Sequence, residues 1–252
     1  MKLCLVFILV FVGAALSAIE KRILGSVKCD KLRQYHVEIV SKQRKARCGG
    51  SLLNTLWVIT AAHCGEQHLE VELGVNYDKP FFSKIKGFFK SDKQKIEPKQ
   101  QFVFKDEEGH LHDIMLIKLT KAVKAQYPMV ALPPEGCTKP EINKQVKVGG
   151  FGTGSSKKKF FAKLMCATTE MSTCGENDKP DSKYHSDEST TMCAHKPGVD
   201  ACYGDAGSGV EYDNALYGII VSDPVDKCTN QIVMLNICHY REWIGKTMKE
   251  NS

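Results

Sequence analysis

Short apolar runs separated by turn-rich stretches are the main pattern along this chain. The runs are rich in branched aliphatic and aromatic residues and are bounded by polar residues, glycine or proline. Runs of this length and composition are typical of β-strands. They occupy residues 36–40, 50–53, 57–60, 114–119, 146–148, 216–221 and 232–235. The pattern therefore predicts an all-β protein.

Two stretches depart from this pattern. Residues 239–249 have helical spacing, with Tyr240, Trp243 and Ile244 on one side, and predict a short C-terminal α-helix. Residues 121–136 are rich in proline and polar residues. Because proline cannot donate a backbone hydrogen bond to a β-ladder, this stretch predicts a linker between two halves of the β-structure.

The N-terminus has the order of a secretory signal peptide, with a positive charge, an apolar run over residues 3–16 and small residues after it. The run is too short to span a bilayer, and no later stretch is long and apolar enough to do so. We expect residues 1–18 to be a signal peptide and residues 19–22 a short propeptide that ends at Arg22. The mature protein is then expected to be secreted, to the extracellular space or a secretory granule, without a transmembrane segment.

Charge and length restrict the function only weakly. Cleavage after Arg22 leaves about 230 residues, which suits one domain with a packed core. The whole chain has 35 lysines and arginines against 29 aspartates and glutamates, a formal charge of +6. The mature chain keeps about +4 of this, which is mildly basic. Nucleic-acid binding needs a clustered stripe of cations, so no nucleic-acid partner is predicted.

The cysteine count indicates a disulfide framework. One of the eleven cysteines, Cys4, lies in the signal peptide, and an even number remains in a chain expected to be secreted. Spacing alone leaves their pairing open. No cysteine and histidine pairs stand at the spacing of a zinc site, so neither a metal nor another cofactor is predicted.

Three segments carry residues suited to nucleophilic catalysis. Residues 57–64 read Trp-Val-Ile-Thr-Ala-Ala-His-Cys, residues 113–119 begin with Asp113, and residues 200–209 read Asp-Ala-Cys-Tyr-Gly-Asp-Ala-Gly-Ser-Gly. In this order they resemble the segments that carry the catalytic histidine, aspartate and serine of the trypsin-like serine proteases, the S1 family with the chymotrypsin fold. The resemblance covers essentially residues 23–252.

The resemblance implies a fold that agrees with the hydrophobic pattern. It implies two six-stranded antiparallel β-barrels of the trypsin and chymotrypsin type, followed by a short C-terminal α-helix. The peptidase domain would span residues 23–252. Its N-terminal barrel would occupy about residues 23–125, its C-terminal barrel about 137–236 and its helix about 239–249.

One catalytic position departs from the family. The resemblance implies that His63 is the general base and that Asp113 accepts the proton of its Nδ1 atom. The serine position is Ala206, which together with Gly204 would form the oxyanion hole. A methyl group cannot attack a carbonyl carbon, so an inactive serine protease homologue is expected. The generic alternative for His63 is a buried structural histidine, which the match of the whole segment disfavours. For Asp113 the alternative, a turn residue before a core strand, fits the local sequence equally well.

Two further residues lie next to these positions in the sequence. Ser208 lies two residues after Ala206, and two residues of extended chain span about 6–7 Å, whereas proton transfer needs hydrogen-bond reach of about 3 Å. His63 is therefore not expected to activate Ser208. His112, next to Asp113, is expected at the surface.

The implied specificity pocket combines one family feature with several departures. Asp200 stands where trypsin-like members hold the carboxylate that binds arginine or lysine. Ser222 keeps the family residue of the opposing wall, but Pro224 removes a backbone donor used to pair with the extended substrate. Ile232 replaces a glycine that opens the pocket, and its side chain is expected to fill that space.

The resemblance also implies an activation device and a disulfide pattern. Cleavage after Arg22 would free the amine of Ile23 to form a buried ion pair with Asp205, and such a pair needs both partners. The implied disulfides use all ten cysteines of the mature chain: Cys29–Cys166, Cys48–Cys64, Cys137–Cys238, Cys174–Cys193 and Cys202–Cys228.

Three functions follow as hypotheses. The first is a non-proteolytic, monomeric homologue that binds a protein partner, such as a protease, an inhibitor or a receptor, or an anionic glycan or surface. The second is a serine endopeptidase with arginine or lysine preference, the family activity. The third is a basic heparin-binding or antimicrobial protein, suggested by lysines within residues 79–99 and at 157–159. The loop after Gly74 lacks the acidic cluster of the family's calcium loop.

Overall fold

The computed structural model describes residues 26–252 except 30, 42, 44–45, 77–91, 126, 152–162, 202–204 and 223–230. The expected signal peptide, propeptide and cleavage point lie outside these residues. The strands are β1 Val27–Lys28, β2 His36–Ser41, β3 Arg47–Leu52, β4 Trp57–Thr60, β5 Leu69–Leu73, β6 Asp92–Ile96, β7 Gln101–Lys105, β8 Leu111–Lys118, β9 Gln145–Gly150, β10 Met165–Ser172, β11 Thr191–His195, β12 Gly209–Tyr212, β13 Ala215–Ile220 and β14 Gln231–Asn236. One α-helix, α1, spans Ile237–Glu250.

The first sheet has the strand order β6-β5-β2-β3-β4-β8-β7, and every pairing is antiparallel. Strands β6 and β7 follow one another in the chain and are joined through a 3₁₀ turn at Pro98–Gln100. Because β6 pairs with β5 and β7 pairs with β8, this continuous segment closes the sheet into a barrel. Pro98 cannot donate to the ladder, which explains why one edge segment is divided into two strands.

The second sheet is closed by direct pairing. Its order is β1-β10-β11-β14-β13-β12-β9, and β9 also pairs with β10 over six residue positions. Six strands thus form a ring, and the two-residue strand β1 is added against β10. The expected fold of two antiparallel barrels with a short C-terminal helix is confirmed. The seventh strand of the first sheet results from the divided edge segment, and the seventh strand of the second sheet is β1.

Helix α1 packs on the core of the molecule. Asn236 caps its N-terminus by accepting a hydrogen bond from the Cys238 amide, and Tyr240 and Ile244 are fully buried. Both side chains belong to the same apolar cluster as residues of β4 and β8. Within the described ranges, no helix has both the length and the apolar character required to cross a bilayer.

Four of the five expected disulfides are present: Cys29–Cys166, Cys48–Cys64, Cys137–Cys238 and Cys174–Cys193. The fifth, Cys202–Cys228, lies outside the described residues. Two of the bridges join positions more than 100 residues apart. Each such bridge restricts the unfolded chain and typically stabilises a secreted domain by about 2–4 kcal/mol.

A buried polar contact joins the N-terminal segment to the second barrel. The Arg33 guanidinium donates to the Gly209 carbonyl and to Glu211, the latter at 3.1 Å. The Tyr35 hydroxyl donates to the same Glu211 carboxylate. Arg33 is 5% exposed and adopts the left-handed backbone conformation, with φ of 53°. These bonds fix the start of β2 against β12, beside the loop that contains Ala206.

Candidate active site

The structure brings His63 and Asp113 into direct contact. Strand β4 runs into a 3₁₀ turn at Ala62–Cys64 that carries His63, while Asp113 lies fully buried in β8. The Asp113 carboxylate accepts from the His63 amide at 2.8 Å and lies 2.7 Å from its Nδ1 atom. An ionised carboxylate only accepts hydrogen bonds, so Nδ1 carries the proton and Nε2 is the nitrogen able to act as a base.

A disulfide fixes the turn that carries His63. Cys64 is bonded to Cys48 in β3, and the small residues Ala61 and Ala62 before the histidine are buried. The sulfur atoms of both cysteines lie near His63. Because they are bonded to each other they offer no thiolate, and this group is not a zinc site.

The loop at the serine position lies against the same elements. The Gly49 amide, next to Cys48, donates to the Ala206 carbonyl at 2.7 Å. On the other side, the Gly207 amide donates to the Ile220 carbonyl at 2.7 Å. Ala206 itself is 1% exposed. The loop therefore sits between β3 of the first barrel and β13 of the second.

Gly207 shows how closely this loop approaches the strand before His63. Its φ is +81°, and a Cβ atom here would overlap the Thr60 hydroxyl and the Gly49 carbonyl oxygen. Thr60 ends β4, three residues before His63. Glycine is required for both the conformation and the contact. The loop that contains Ala206 is thus held in close contact with the strand that precedes His63.

Ser208 points away from this cleft. Its side chain is fully buried, and a Cβ atom on Gly49 would overlap its Oγ atom and lie 2.9 Å from Cε1 of His36. The hydroxyl therefore faces β2 and β3 in the interior. Among the described residues, neither Ser208 Oγ nor either ring nitrogen of His36 has a hydrogen-bond partner. Burial, and secondarily the Arg33 charge, lowers the pKa of His36 to about 3.

The structure describes three of the four residues expected in the specificity pocket. Ile232 is fully buried in β14 and belongs to one apolar cluster with Val199 and Ala201, the two neighbours of Asp200. Asp200 is partly buried. Ser222 accepts from the Val233 amide at 2.8 Å, which fixes it beside the same strand. Pro224 lies outside the described residues.

One residue of the expected activation device is described. The Asp205 side chain is fully buried, and a Cβ atom on Gly150 would overlap its Oδ1 atom. The carboxylate is therefore packed against the end of β9. Arg22, Ile23 and the oxyanion-hole residue Gly204 lie outside the described residues.

The expectation that His112 lies at the surface is wrong. The ring is 2% exposed and packs edge-on against Phe104 and Tyr240, which cover it from β7 and α1. Burial lowers its pKa, so the ring is neutral. Its Nδ1 atom lies 2.9 Å from the Tyr240 hydroxyl and its Nε2 atom 3.3 Å from Asp106. The sequence could not show this, because Tyr240 is distant along the chain.

The paired barrels, the His63–Asp113 contact and the glycine-rich loop define a protein with a serine protease scaffold. A family model described as Trypsin matches residues 23–244. The chain belongs to the trypsin family.

Individual relatives are identical to this chain at similar fractions of the matched positions. Human kallikrein-8 is 30% identical over 243 residues, covering 90% of this chain and 86% of its own. Human kallikrein-5 is 27% identical over 239 residues, covering 92% and 78%. The structure of neuropsin, described as a serine protease expressed in the limbic system of mouse brain, matches with a TM-score of 0.65 and 29% identity, covering 88% of this chain and 98% of that one.

Proposed function

We propose that this protein is a trypsin-family homologue without proteolytic activity that acts by binding. The observation that carries the proposal is Ala206, a methyl side chain in a loop that otherwise has the contacts of a nucleophile loop. Without a hydroxyl, His63 has no proton to accept and no acyl-enzyme can form. In another protease with this kind of triad, loss of the nucleophile lowers turnover about a millionfold.

Two further features support the proposal. Ser208 is the nearest alternative nucleophile, and it is buried against β2 and β3 rather than exposed to a substrate. Ile232 is fully buried in the apolar cluster that also contains the residues flanking Asp200. A bulky side chain there opposes entry of an arginine or lysine side chain of the substrate. Substrate binding is therefore weakened, in addition to the loss of the nucleophile.

The proposal includes secretion and processing. We propose a signal peptide at residues 1–18, a propeptide at residues 19–22 and a mature domain from Ile23 that Asp205 stabilises by pairing with the new amine. The partner on this proposal is another protein, namely a protease, an inhibitor or a receptor, or an anionic surface.

A second candidate is a working endopeptidase for arginine or lysine substrates. It is favoured by the 2.7 Å contact between His63 and Asp113 and by the retained Asp200. It requires a nucleophile in place of the missing serine, and the described residues supply none in contact with His63.

The third candidate, a basic surface-binding or antimicrobial protein, has little support from the described lysines. Most of the lysines that suggested it lie within residues 77–91 and 152–162, outside the described residues. Of those that are described, Lys93 is paired with Glu72 at 2.9 Å and Lys99 with Glu97 at 2.9 Å. Retention on heparin that falls steeply with salt would favour this candidate.

The decisive experiment compares the native mature chain with Ala206→Ser and Ala206→Gly. All three are cleaved after Arg22, their Ile23 termini are confirmed, and they are tested with arginine and lysine esters and a reagent that titrates active serines. Ala206→Gly is the matched control, because it changes the same side chain without adding a hydroxyl. We expect the native chain and the Gly variant to be inactive and unlabelled.

Turnover or stoichiometric labelling of the native chain would overturn the proposal. Loss of that activity in Ser208→Ala would then identify the nucleophile. Activity in Ala206→Ser alone would mean that the missing hydroxyl at position 206 is the only cause of the inactivity. Inactivity of all three would place the cause in the substrate pocket as well.

A further inference from the structure

Half of the histidines of the chain are gathered on one face that the proposed function does not use. Of eight histidines, the group contains His110, His112, His185 and His239. The rings of His110 and His185 are stacked with centroids 5.2 Å apart, and His112 lies 5.1 Å from His185 and 6.3 Å from His239. The carboxylate of Asp106 lies among them.

Three members of this group present ligand atoms to one point. One oxygen of Asp106 and one nitrogen from each of His110 and His185 all lie within 4.8 Å of one another. In a tetrahedral site with bonds of about 2.0–2.1 Å, ligand atoms stand about 3.3 Å apart. The two histidine side chains are about half exposed and can rotate to close this difference. Asp106 and His110 already make contact at 3.0 Å.

The backbone holds these residues together without a metal. The His110 amide donates to the Asp106 carboxylate at 2.7 Å, which closes the tight turn between β7 and β8. The His185 amide donates to the carbonyl of Leu111 at 2.7 Å. This bond fixes the loop between β10 and β11 beside His110, although the two histidines are 75 positions apart in the sequence. The three ligand residues therefore start near their binding positions.

The buried ring of His112 positions the Asp106 carboxylate from the interior of the protein. Its Nε2 atom lies 3.3 Å from Asp106, and its Nδ1 atom lies 2.9 Å from the hydroxyl of the fully buried Tyr240. A carboxylate oxygen accepts, so Nε2 carries the proton and Nδ1 accepts from Tyr240. Hydrogen bonds of this kind orient a ligand and are as much a part of metal sites as the ligands themselves.

We propose that Asp106, His110 and His185 form a binding site for a divalent transition metal ion, with zinc as the expected ion. Two imidazoles and one carboxylate are a donor set that zinc accepts, whereas calcium and magnesium prefer oxygen donors throughout. Three protein ligands leave one position open. A cleft of about 580 Å³ beside the two imidazoles, lined also by Leu111 and Tyr184, gives space for water or another ligand at that position.

The test uses the intact disulfide-bonded chain, freed of metal with a chelator. Zinc binding is measured by calorimetry, and cobalt is then added as a spectroscopic probe, because its visible absorption reports four-coordinate geometry. We expect one ion per chain. We expect His110→Ala and His185→Ala each to weaken zinc binding by about a hundredfold or more. His112→Phe keeps a buried ring but removes the hydrogen bond that positions Asp106, and should weaken zinc binding by about tenfold.

The matched control is His195→Ala, an exposed histidine on β11 outside this group. It should bind zinc like the native chain. The proposal is wrong if the native chain shows no stoichiometric zinc binding, or if His110→Ala and His185→Ala bind as the control does. It is equally wrong if His63→Ala alone removes binding, since the ion would then occupy the cleft. Thermal unfolding of each variant without metal confirms that the chain is folded.

Discussion

The two barrels follow the family pattern to different degrees. In the first barrel, His63, Asp113 and the Cys48–Cys64 bridge all have the arrangement that general-base catalysis requires. In the second barrel, on the proposed function, Ala206 stands in place of the catalytic serine, and Ile232 belongs to one apolar cluster with the two neighbours of Asp200. The departures are therefore concentrated in the half that would attack and hold the substrate.

On the proposed function, the retained contact between His63 and Asp113 is weak support for catalysis. The Asp113 carboxylate is fully buried and bonds both the amide and the ring of His63. Removing either partner would leave the other buried without its hydrogen bonds, at a typical cost of several kcal/mol. The pair thus has a structural reason to persist. The side chains of Ala206 and Ile232 are apolar and do not depend on a hydrogen bond to each other.

The largest effect that tests the difference between the two barrels is expected in the turnover of a small activated ester by Ala206→Ser. Such a substrate does not need the pocket at Asp200. The assay therefore tests only whether His63 and Asp113 can activate the new hydroxyl. Turnover should rise by about 10⁴- to 10⁶-fold over the native chain, because His63 can then accept the serine proton. Stopped-flow or steady-state absorbance of the released alcohol measures this rise.

The second substitution Asp113→Asn provides the control for that gain. It should remove about 10⁴-fold of the gained activity, because the amide group favours the wrong ring tautomer. A gain that persists in the double variant would mean that His63 does not activate the new hydroxyl, and the first barrel would no longer count as intact.

The next largest effect is expected where the two barrels meet, at Gly207. Gly207→Ala forces a left-handed backbone and places a Cβ atom on Thr60 and Gly49. We expect a loss of about 4 kcal/mol in the free energy of unfolding, measured with guanidinium chloride. Gly198→Ala is the matched control, because its φ is +80° and its surroundings are open. It should cost only about 1 kcal/mol. Equal losses would mean that the contact with Thr60 is unimportant.

A smaller effect tests whether the pocket is filled. Ile232→Ala should lower the free energy of unfolding by about 3 kcal/mol, since it leaves a cavity in the core of the second barrel. Ile142→Ala removes the same atoms from a residue that is 52% exposed and should change stability by less than about 0.5 kcal/mol. A loss at Ile232 no greater than at Ile142 would show that the space is open, and the endopeptidase hypothesis would gain support.

Contiguous motifs made much of the fold and site predictable from the sequence. The apolar runs identified seven of the fourteen described strands, namely β2, β3, β4, β8, β9, β13 and β14. The segments around His63, Asp113 and Ala206 lie close together, as the resemblance implies. Four cysteine pairs followed from the same alignment with the family. These features are local, or are fixed once the family is known.

Contacts between distant segments were not predictable in the same way. His112 follows a turn and looks exposed in the sequence, but Phe104 and Tyr240 cover it. His185 lies in a loop without periodicity, and only its bond to Leu111 places it beside His110.

The smallest effect concerns His36, at the boundary between the barrels. Burial, followed by the Arg33 charge, lowers its pKa from 6.5 to about 3 in the folded state. Below pH 6.5 the unfolded chain therefore binds a proton that the folded chain does not, and stability falls as the pH falls toward 3. Between pH 7 and pH 5 this residue should remove about 2 kcal/mol from the free energy of unfolding.

His36→Gln should remove that part of the pH dependence, because glutamine does not titrate. Urea unfolding of the native chain and the variant at pH 7 and pH 5 gives the difference directly, while the other titrating groups contribute equally to both. His195→Gln, at an exposed position, should leave the native dependence unchanged. Parallel stability curves for the native chain and His36→Gln would mean that the imidazole takes up its proton inside the fold. The boundary beside the Ala206 loop would then be accessible to water.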